Sequence, residues 1–373
     1  MVTCAITTSV LGCMVTSYLF FRYSWHPDWN WLQKSGIWAL FLLLGCIPLF
    51  VSYNLEQYLG KFYGFYRYGL YFIFIGCIIL FTLTLAADLI LWLLAHTPAV
   101  AAVQPLKPHI KTFCLLLAVG FAVYALYAGT RIPQTQRINI VSEKITVPQK
   151  IALLSDLHIH RVISPEKIRG IVDQTNALAP DIILLDGDII DDDVEKVKDI
   201  SALLKGLKAP GGIYFVTGNH EFYAGYRETV AELKKLGFRF LENAGVSLGE
   251  LYIAGIPDLF SGESFGKRPD TEKAFAAAQK RQFRLLMSHT PADFGTDNIF
   301  DLEVSGHTHG GQIFPFHILT KLHNKYLAGL YPMDNGAQIY VSRGAGQWGP
   351  QMRFLAPAEI TLVTLTPSKE HHS

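Results

Sequence analysis

Hydrophobic positions are distributed in two ways along this chain. Val2 to Phe21, Gly36 to Tyr53, Tyr68 to His96 and Thr112 to Gly129 are nearly unbroken apolar stretches separated by short polar links. Each approaches the roughly 20 residues a helix needs to cross a bilayer core. From about residue 132 the apolar runs become short and alternate with polar, helix-periodic segments. Short continuous apolar runs predict strands buried on both faces, and their alternation with helical segments predicts a mixed α/β domain.

In the second half, the runs starting at Ile151, Ile182, Ile213, Leu285 and Glu303 read as strands. After Glu242 the expected strands are Gly245–Leu248, Leu251–Gly255, Phe283–His289 and Leu302–Ser305, which contain the last two of those runs, then Gln338–Ser342 and Glu359–Leu365. Gly249-Glu250 and Asp334-Asn335-Gly336 supply turns. Ser164-Pro165-Glu166 opens a helix with an N-cap and a proline in the first turn. Asp192–Leu207, Gly225–Leu236 and Thr271–Arg281, the last capped by Asp270, read as three more helices. Arg131 to Val147 is either a polar connector or a first edge strand. The expected division is a multi-pass membrane domain over 1–131, a connector over 132–148 and a catalytic domain over 149–368.

Composition supports that division. Half of the residues are hydrophobic and mean hydropathy is +0.25, high for a water-soluble protein. Five of the six Trp lie before residue 131. Trp25, Trp29, Trp31, Tyr53, Tyr63, Tyr66 and Tyr68 crowd the ends of the stretches, as expected where rings sit at headgroup depth. The first stretch lacks a basic leader and a small-residue cleavage site, so it reads as a retained helix. Asp88 falls inside the third stretch, either as a functional intramembrane acid or as a lone acid near a helix end. Four spans put both termini on one side. Lys61, Arg67, Arg131 and Arg137 lie on the catalytic side, against Arg22, Lys34, Lys107 and Lys111 on the other, so positive charge barely chooses; the cytoplasm is the expectation for the catalytic domain at the cell membrane. All five cysteines sit in apolar stretches and imply no disulfide framework.

Charge changes the picture in another way. Residues 1–131 hold seven Lys/Arg against three Asp/Glu, a net +4, and the remainder holds 25 against 28, a net −3. The second half is therefore no polyanion-binding surface, which argues against nucleic acid as a partner.

The chemistry is concentrated at the ends of the apolar runs: Asp156-Leu-His158, Gly187-Asp188, Gly218-Asn219-His220-Glu221, Ser288-His289 and Gly306-His307-Thr308-His309. Groups at strand ends meet at one rim of a sheet. Two Asp, one Asn and several His gathered there make an oxygen- and imidazole-lined pocket suited to one or two divalent metals. Taken singly, a buried His is more often a hydrogen-bonded core residue, Asp186-Gly187 is usually a turn, and Asp191-Asp192-Asp193 is most simply a solvated helix start.

In order and spacing the five blocks resemble the calcineurin-like metallophosphoesterases, whose pattern is DxH, GDxx(D/E), GNH(D/E), an isolated His, then GHxH. The resemblance covers roughly Gln149 to Pro367. It implies a four-layer α/β/β/α sandwich, preceded here by the N-terminal bundle of about four transmembrane helices. It implies two divalent metal ions, Mn2+ first and Fe, Zn or Mg as alternatives. Asp156, His158, Asp188 and His309 would hold one metal, and Asp188, Asn219, His289 and His307 the other, with Asp188 shared. Two such metals clamp a phosphate and lower the pKa of a water between them. His220 matches the histidine that faces the leaving group, where an imidazolium can protonate the departing oxygen. The resemblance leaves His160 outside the ligand set and gives Asp191 a supporting place in its loop without metal contact.

Gly310-Gly311-Gln312 and Val341-Ser342-Arg343-Gly344 look like the membrane-associated YkuE/YaeI-like branch, with Arg343 a candidate substrate contact. That branch implies hydrolysis of a phosphodiester, a phosphomonoester or a pyrophosphate; relatives act on UDP-2,3-diacylglucosamine, so a phospholipid or nucleotide-lipid substrate beside a lipid bilayer is expected. Phe314 to Tyr326 mixes aromatic and basic residues and either dips toward the bilayer or packs as a loop over the sandwich. The alternative function is a non-catalytic membrane sensor or transporter that only binds through this domain.

Overall fold

The structure is a computed structural model that describes residues 2–47, 55–97, 103–292 and 299–368. The chain divides into two compact units, one of Met1–Ala128 with Pro350–Phe354, the other of Gly129–Gly349 with Leu355–Ser373.

The first unit is helical. Its main helices are α1 (Val2–Leu19), α2 (Trp31–Gly45), α3 (Tyr63–Leu94) and α4 (Lys107–Thr130). Asn30 and Gln33 form a reciprocal capping box that starts α2, satisfying two amides that a helix start leaves open. Among the described residues, Gly60–Leu94 and Lys107–Thr130 are long and apolar enough to cross a membrane. The stretch expected over Gly36 to Tyr53 runs past Ile47 into residues outside the described set. Asp88 is not a lone acid: it forms an ion pair with Arg22 and accepts a 2.5 Å hydrogen bond from the Tyr18 hydroxyl. Cys13 and Cys46 are free thiols with their sulfurs 3.6 Å apart.

The second unit carries two six-stranded mixed sheets. The strands are β1 (Gln134–Ser142), β2 (Gln149–Leu154), β3 (Ile182–Asp186), β4 (Ile213–Val216), β5 (Arg239–Phe240), β6 (Ala244–Leu248), β7 (Leu251–Gly255), β8 (Phe283–Met287), β9 (Leu302–Ser305), β10 (Gly329–Pro332), β11 (Gln338–Val341) and β12 (Glu359–Pro367). One sheet has the order β1-β12-β2-β3-β4-β5, the other β10-β11-β9-β8-β7-β6. Strands β2 to β5 are parallel, as are β7, β8, β9 and β11. Of the two readings of residues 131–147, the strand is what forms: β1 is an edge strand, parallel to β12 from Gln134↔Glu359 to Ser142↔Pro367.

Alternation along each strand builds the layers. Ile151, Leu153, Ile182, Leu184, Tyr214 and Val216 of the first sheet meet Leu251, Ile253, Leu285, Met287, Leu302 and Val304 of the second in one buried cluster. Residues at intervening positions, Ala152, Leu154, Ile183, Leu185 and Phe215, face the other way. There they pack on Ile168, Ile171 and Val172 of α5 (Pro165–Ala177), Val197 of α6 (Val194–Ser201) and Leu233. On the outer face of the second sheet Tyr252, Ala254 and Leu286 pack against Ala274 and Phe275 of the short helix Thr271–Phe275.

Several boundaries differ from expectation. Ser164 caps α5 as predicted, accepting from the Lys167 amide. The helix predicted over Asp192–Leu207 begins at Val194 with Asp193 as its cap, and its last turn tightens to a 3-10 helix over Ala202–Gly206. Asp270 caps its helix, but that helix ends at Phe275 and not at Arg281. The segment Phe314 to Tyr326, expected either to dip toward the bilayer or to pack as a loop, contains the helix Phe316–His323.

Candidate metal centre

Every block of the sequence motif follows the C-terminal end of a strand. Asp156 and His158 follow β2, Asp188 follows β3, Asn219 and His220 follow β4, His289 follows β8, and His307 and His309 follow β9. Strands β2, β3 and β4 run parallel to one another, as do β8 and β9, so within each sheet their ends converge on a single rim.

The backbone there is held in an unusual state. Asp156, His158, Asp188, His307 and His309 all have positive φ, between 48° and 64°. A non-glycine residue in the left-handed region costs on the order of 1–3 kcal/mol and persists only where its surroundings enforce it. The motif glycines are explained by space. A Cβ on Gly306 would lie 1.8 Å from Ser155 Oγ and 2.3 Å from Asp156 Oδ2, and one on Gly218 would lie 2.2 Å from Asp188 Oδ1. Any side chain at either position would fill the pocket that the carboxylates enclose.

The convergent atoms form three groups, each with ligand atoms within 4.8 Å of one another: Asp156, His158 and His309; Asp188, His289 and His307; and His158, Asp191 and His220. His309 Nε2 lies 3.3 Å from Asp156 Oδ1 and 2.9 Å from His158 Nε2. Asp188 Oδ2 lies 3.1 Å from His289 Nε2 and 3.8 Å from His158 Nε2, so this oxygen sits between the first two groups. Asn219 Oδ1 is 3.0 Å from His307 Nδ1. His289 Nδ1 donates to the Asp186 carbonyl at 2.7 Å, which fixes the tautomer and aims Nε2 inward. That Nε2 is buried with the Asp188 carboxylate at 3.1 Å as its polar neighbour, in a geometry that makes no aligned hydrogen bond. An imidazole nitrogen facing two buried carboxylates without an aligned hydrogen bond fits a divalent cation.

Electrostatics agree. Burial opposes charge on Asp188, but His289 and His220 outweigh it and hold the carboxyl well below its ordinary range. Burial likewise opposes a proton on His289, and Asp188 overcomes it, raising His289 well above its usual value. The same field attracts a cation. Burial lowers the pKa of His307, with His289 adding to the effect, which favours the neutral imidazole that a metal needs. Asp186 is a buried carboxyl without a hydrogen-bond partner, and burial raises its pKa well above normal.

Asp191 has a larger part than a solvated helix start. Its Oδ1 lies 2.6 Å from His158 Nδ1 and 2.8 Å from His220 Nδ1, linking a candidate ligand to the candidate proton donor. Burial disfavours the His220 imidazolium, yet Asp191 and Asp188 push its pKa up to about 10. In the sequence Glu221 is only the last letter of its motif. Its carboxylate accepts from the amides of Asp188 (2.9 Å), Ile189 (2.6 Å), Ile190 (3.2 Å) and Gly218 (2.7 Å), tying the loops after β3 and β4 together. Burial and Asp188 raise its pKa to about 7.

His160 and Arg343 lie apart from these ligand atoms. His160 is buried and its Nδ1 accepts from the Val162 amide. Arg343 follows β11, with Nη1 donating to Glu359 Oε2 at 2.8 Å and its side chain one-third exposed. At the rim, the exposed rings of Tyr223 and Trp348 flank His220, with centroids 5.4 and 6.4 Å from its imidazole.

A family model described as calcineurin-like phosphoesterase matches residues 149–311. An uncharacterized metallophosphoesterase of Helicobacter pylori (strain ATCC 700392 / 26695) is 36% identical over 270 residues, covering 72% of this chain and 73% of its own. The uncharacterized metallophosphoesterase YkuE of Bacillus subtilis (strain 168) is 34% identical over 270 residues, 67% of this chain and 91% of its own. A Danio rerio protein named transmembrane protein with metallophosphoesterase domain is 31% identical over 268 residues, 67% of this chain and 61% of its own. On the matched segment, the level of identity and the convergence of all five motif blocks, the chain belongs to the calcineurin-like phosphoesterase family.

Proposed function

We propose that this protein is a membrane-anchored, dinuclear-metal phosphoesterase that hydrolyses a phosphodiester, phosphomonoester or pyrophosphate bond. The observation that carries the reading is the position of Asp188 Oδ2 between two groups of buried ligand atoms. In this reading Asp156, His158, Asp188 and His309 hold one divalent ion, and Asp188, Asn219, His289 and His307 hold the other, with Mn2+ the preferred metal. Bound there, the metals supply Lewis-acid polarisation of the phosphoryl group and an acidified water.

The chain's own residues do the rest. His158 is oriented through Nδ1 by Asp191, and His289 through Nδ1 by the Asp186 carbonyl. His220, whose imidazolium Asp191 and Asp188 favour, donates its proton to the departing oxygen. Arg343, fixed by Glu359, offers its remaining guanidinium nitrogens to a phosphate oxygen. The helical unit anchors the enzyme in the cell membrane by four crossings, with the phosphoesterase unit in the cytoplasm. A lipid-borne substrate such as UDP-2,3-diacylglucosamine suits an enzyme confined to a bilayer.

The test is hydrolysis of bis-p-nitrophenyl phosphate by the purified full-length protein with added Mn2+. Turnover that a chelator abolishes and Mn2+ restores is expected. Tight metal binding without turnover on this or on lipid pyrophosphates would favour a non-catalytic sensor or transporter.

A further inference from the structure

One face of the phosphoesterase unit is apolar, exposed and next to the metal centre. Label the helix Phe316–His323 α7. Ile318, Leu319 and Leu322 are 51%, 54% and 79% exposed. At spacings of three and four residues they share one side of the helix. None of the helix is buried, although its base is tight against the His309–Gly311 turn, where a Cβ on Gly311 would lie 2.2 Å from His317 Cα. A ligand-bearing turn therefore supports an outward-facing apolar surface.

The chemistry around that surface selects its partner. Residues 304–333 contain no Asp or Glu, while Lys321 and Lys325 accompany the three apolar side chains. An apolar face with cationic flanks and no acids matches an anionic lipid surface, where the apolar groups enter the acyl boundary and the lysines meet headgroup phosphates. The chain also carries helices long and apolar enough to cross a membrane, and only Arg131, Ile132 and Pro133 separate the last of them from β1.

We propose that α7 is a bilayer-docking edge: Ile318, Leu319 and Leu322 insert at the boundary between headgroups and acyl chains of an anionic leaflet. Resting on the phosphoesterase reading, the consequence is that the metal centre works at headgroup depth, where a lipid phosphate ester reaches it without leaving the membrane. Docking itself requires no catalysis, so the two can be examined separately.

The full-length protein, with p-benzoylphenylalanine replacing Leu319 or Leu322, is reconstituted into nanodiscs of phosphatidylcholine with phosphatidylglycerol and irradiated. Lipid adducts at both positions are expected, roughly tenfold above those from the same probe at Lys235, and decreasing when phosphatidylcholine is the only lipid. Absence of lipid adducts, or cross-linking only to a second copy of the chain, overturns the docking edge. Turnover of bis-p-nitrophenyl phosphate in the same samples reads the metal centre independently. Adducts without turnover leave the docking edge standing and count against the phosphoesterase reading; turnover without adducts does the reverse.

Discussion

The two units of this chain solve opposite burial problems. In the helical unit, large side chains such as Leu89, Trp92, Leu116 and Val123 face outward, each more than half exposed. Its one acid inside an apolar stretch, Asp88, is neutralised by Arg22 and Tyr18. The sandwich does the reverse: aliphatic side chains fill the space between sheets, and charged groups are driven inward to one rim, where Asp156, Asp188, His289 and Glu221 are almost completely buried. Outward apolar surface is stable where the solvent is lipid. Buried charge is stable where a cation and backbone amides neutralise it. In the proposed reading, chemistry belongs to the sandwich and location to the helices.

The largest effect expected from breaking this division is at Asp188. Asp188→Ala removes the oxygen between both ligand groups, so turnover of bis-p-nitrophenyl phosphate should vanish and bound metal, measured by elemental analysis, should drop sharply. Activity at a tenth of wild type would exclude the shared-ligand assignment.

Next comes His220, in the rim but outside the ligand set. His220→Asn should keep both metals and slow turnover by roughly 10²–10⁴, the usual range for general acid catalysis. The loss should shrink for leaving groups as good as p-nitrophenolate, which need little protonation. Metal loss as large as that in His289→Ala would make His220 a ligand.

A smaller and more specific change is expected from Asp191→Asn. The carboxylates of Asp191 and Asp188 favour the acid form of His220. Removing one of them lowers its pKa, so the alkaline limb of the kcat–pH profile should move toward neutral pH. A limb that stays in place would show that Asp191 acts only as a support.

The smallest effect is expected from removing the helical unit. A chain beginning at Gly129 keeps the carbonyl that accepts from Lys167 Nζ and Gln347 Nε2, both at 2.7 Å, and retains β1. It should hydrolyse small soluble esters at a rate within about twofold of the full chain, since no proposed ligand is lost, while its activity on a lipid ester in membranes should decline much further. Equal loss on both substrates would mean that the helices support the sandwich fold, and the division of labour would fail.

Much of the sandwich was legible because its signals are local. A run such as Ile182-Ile-Leu-Leu reads as a buried strand, and Ser164-Pro165 as a helix start, from neighbouring residues alone. The site residues were legible because each block ends such a run. Boundaries set by packing were not: the helix after Asp270 stops at Phe275, where Ala274 and Phe275 have met the second sheet. Helix Phe316–His323 spans eight residues, too few for its period to stand out among the neighbouring aromatic and basic residues. In the helical unit, four apolar stretches were plain in composition, yet composition does not say which cross a bilayer.

The sequence by itself indicated most of the strands, the candidate metal ligands and the separation into an apolar half and a mixed α/β half. These follow from hydrophobic period and residue chemistry, which are properties of neighbours. Only the tertiary structure decided that Asp191 joins His158 to His220, that Glu221 gathers four amides from two loops, and that Asp88 pairs with Arg22. Those contacts connect segments far apart in sequence. Their energy comes from desolvated charges finding partners, and no local pattern specifies which partner a fold brings within reach.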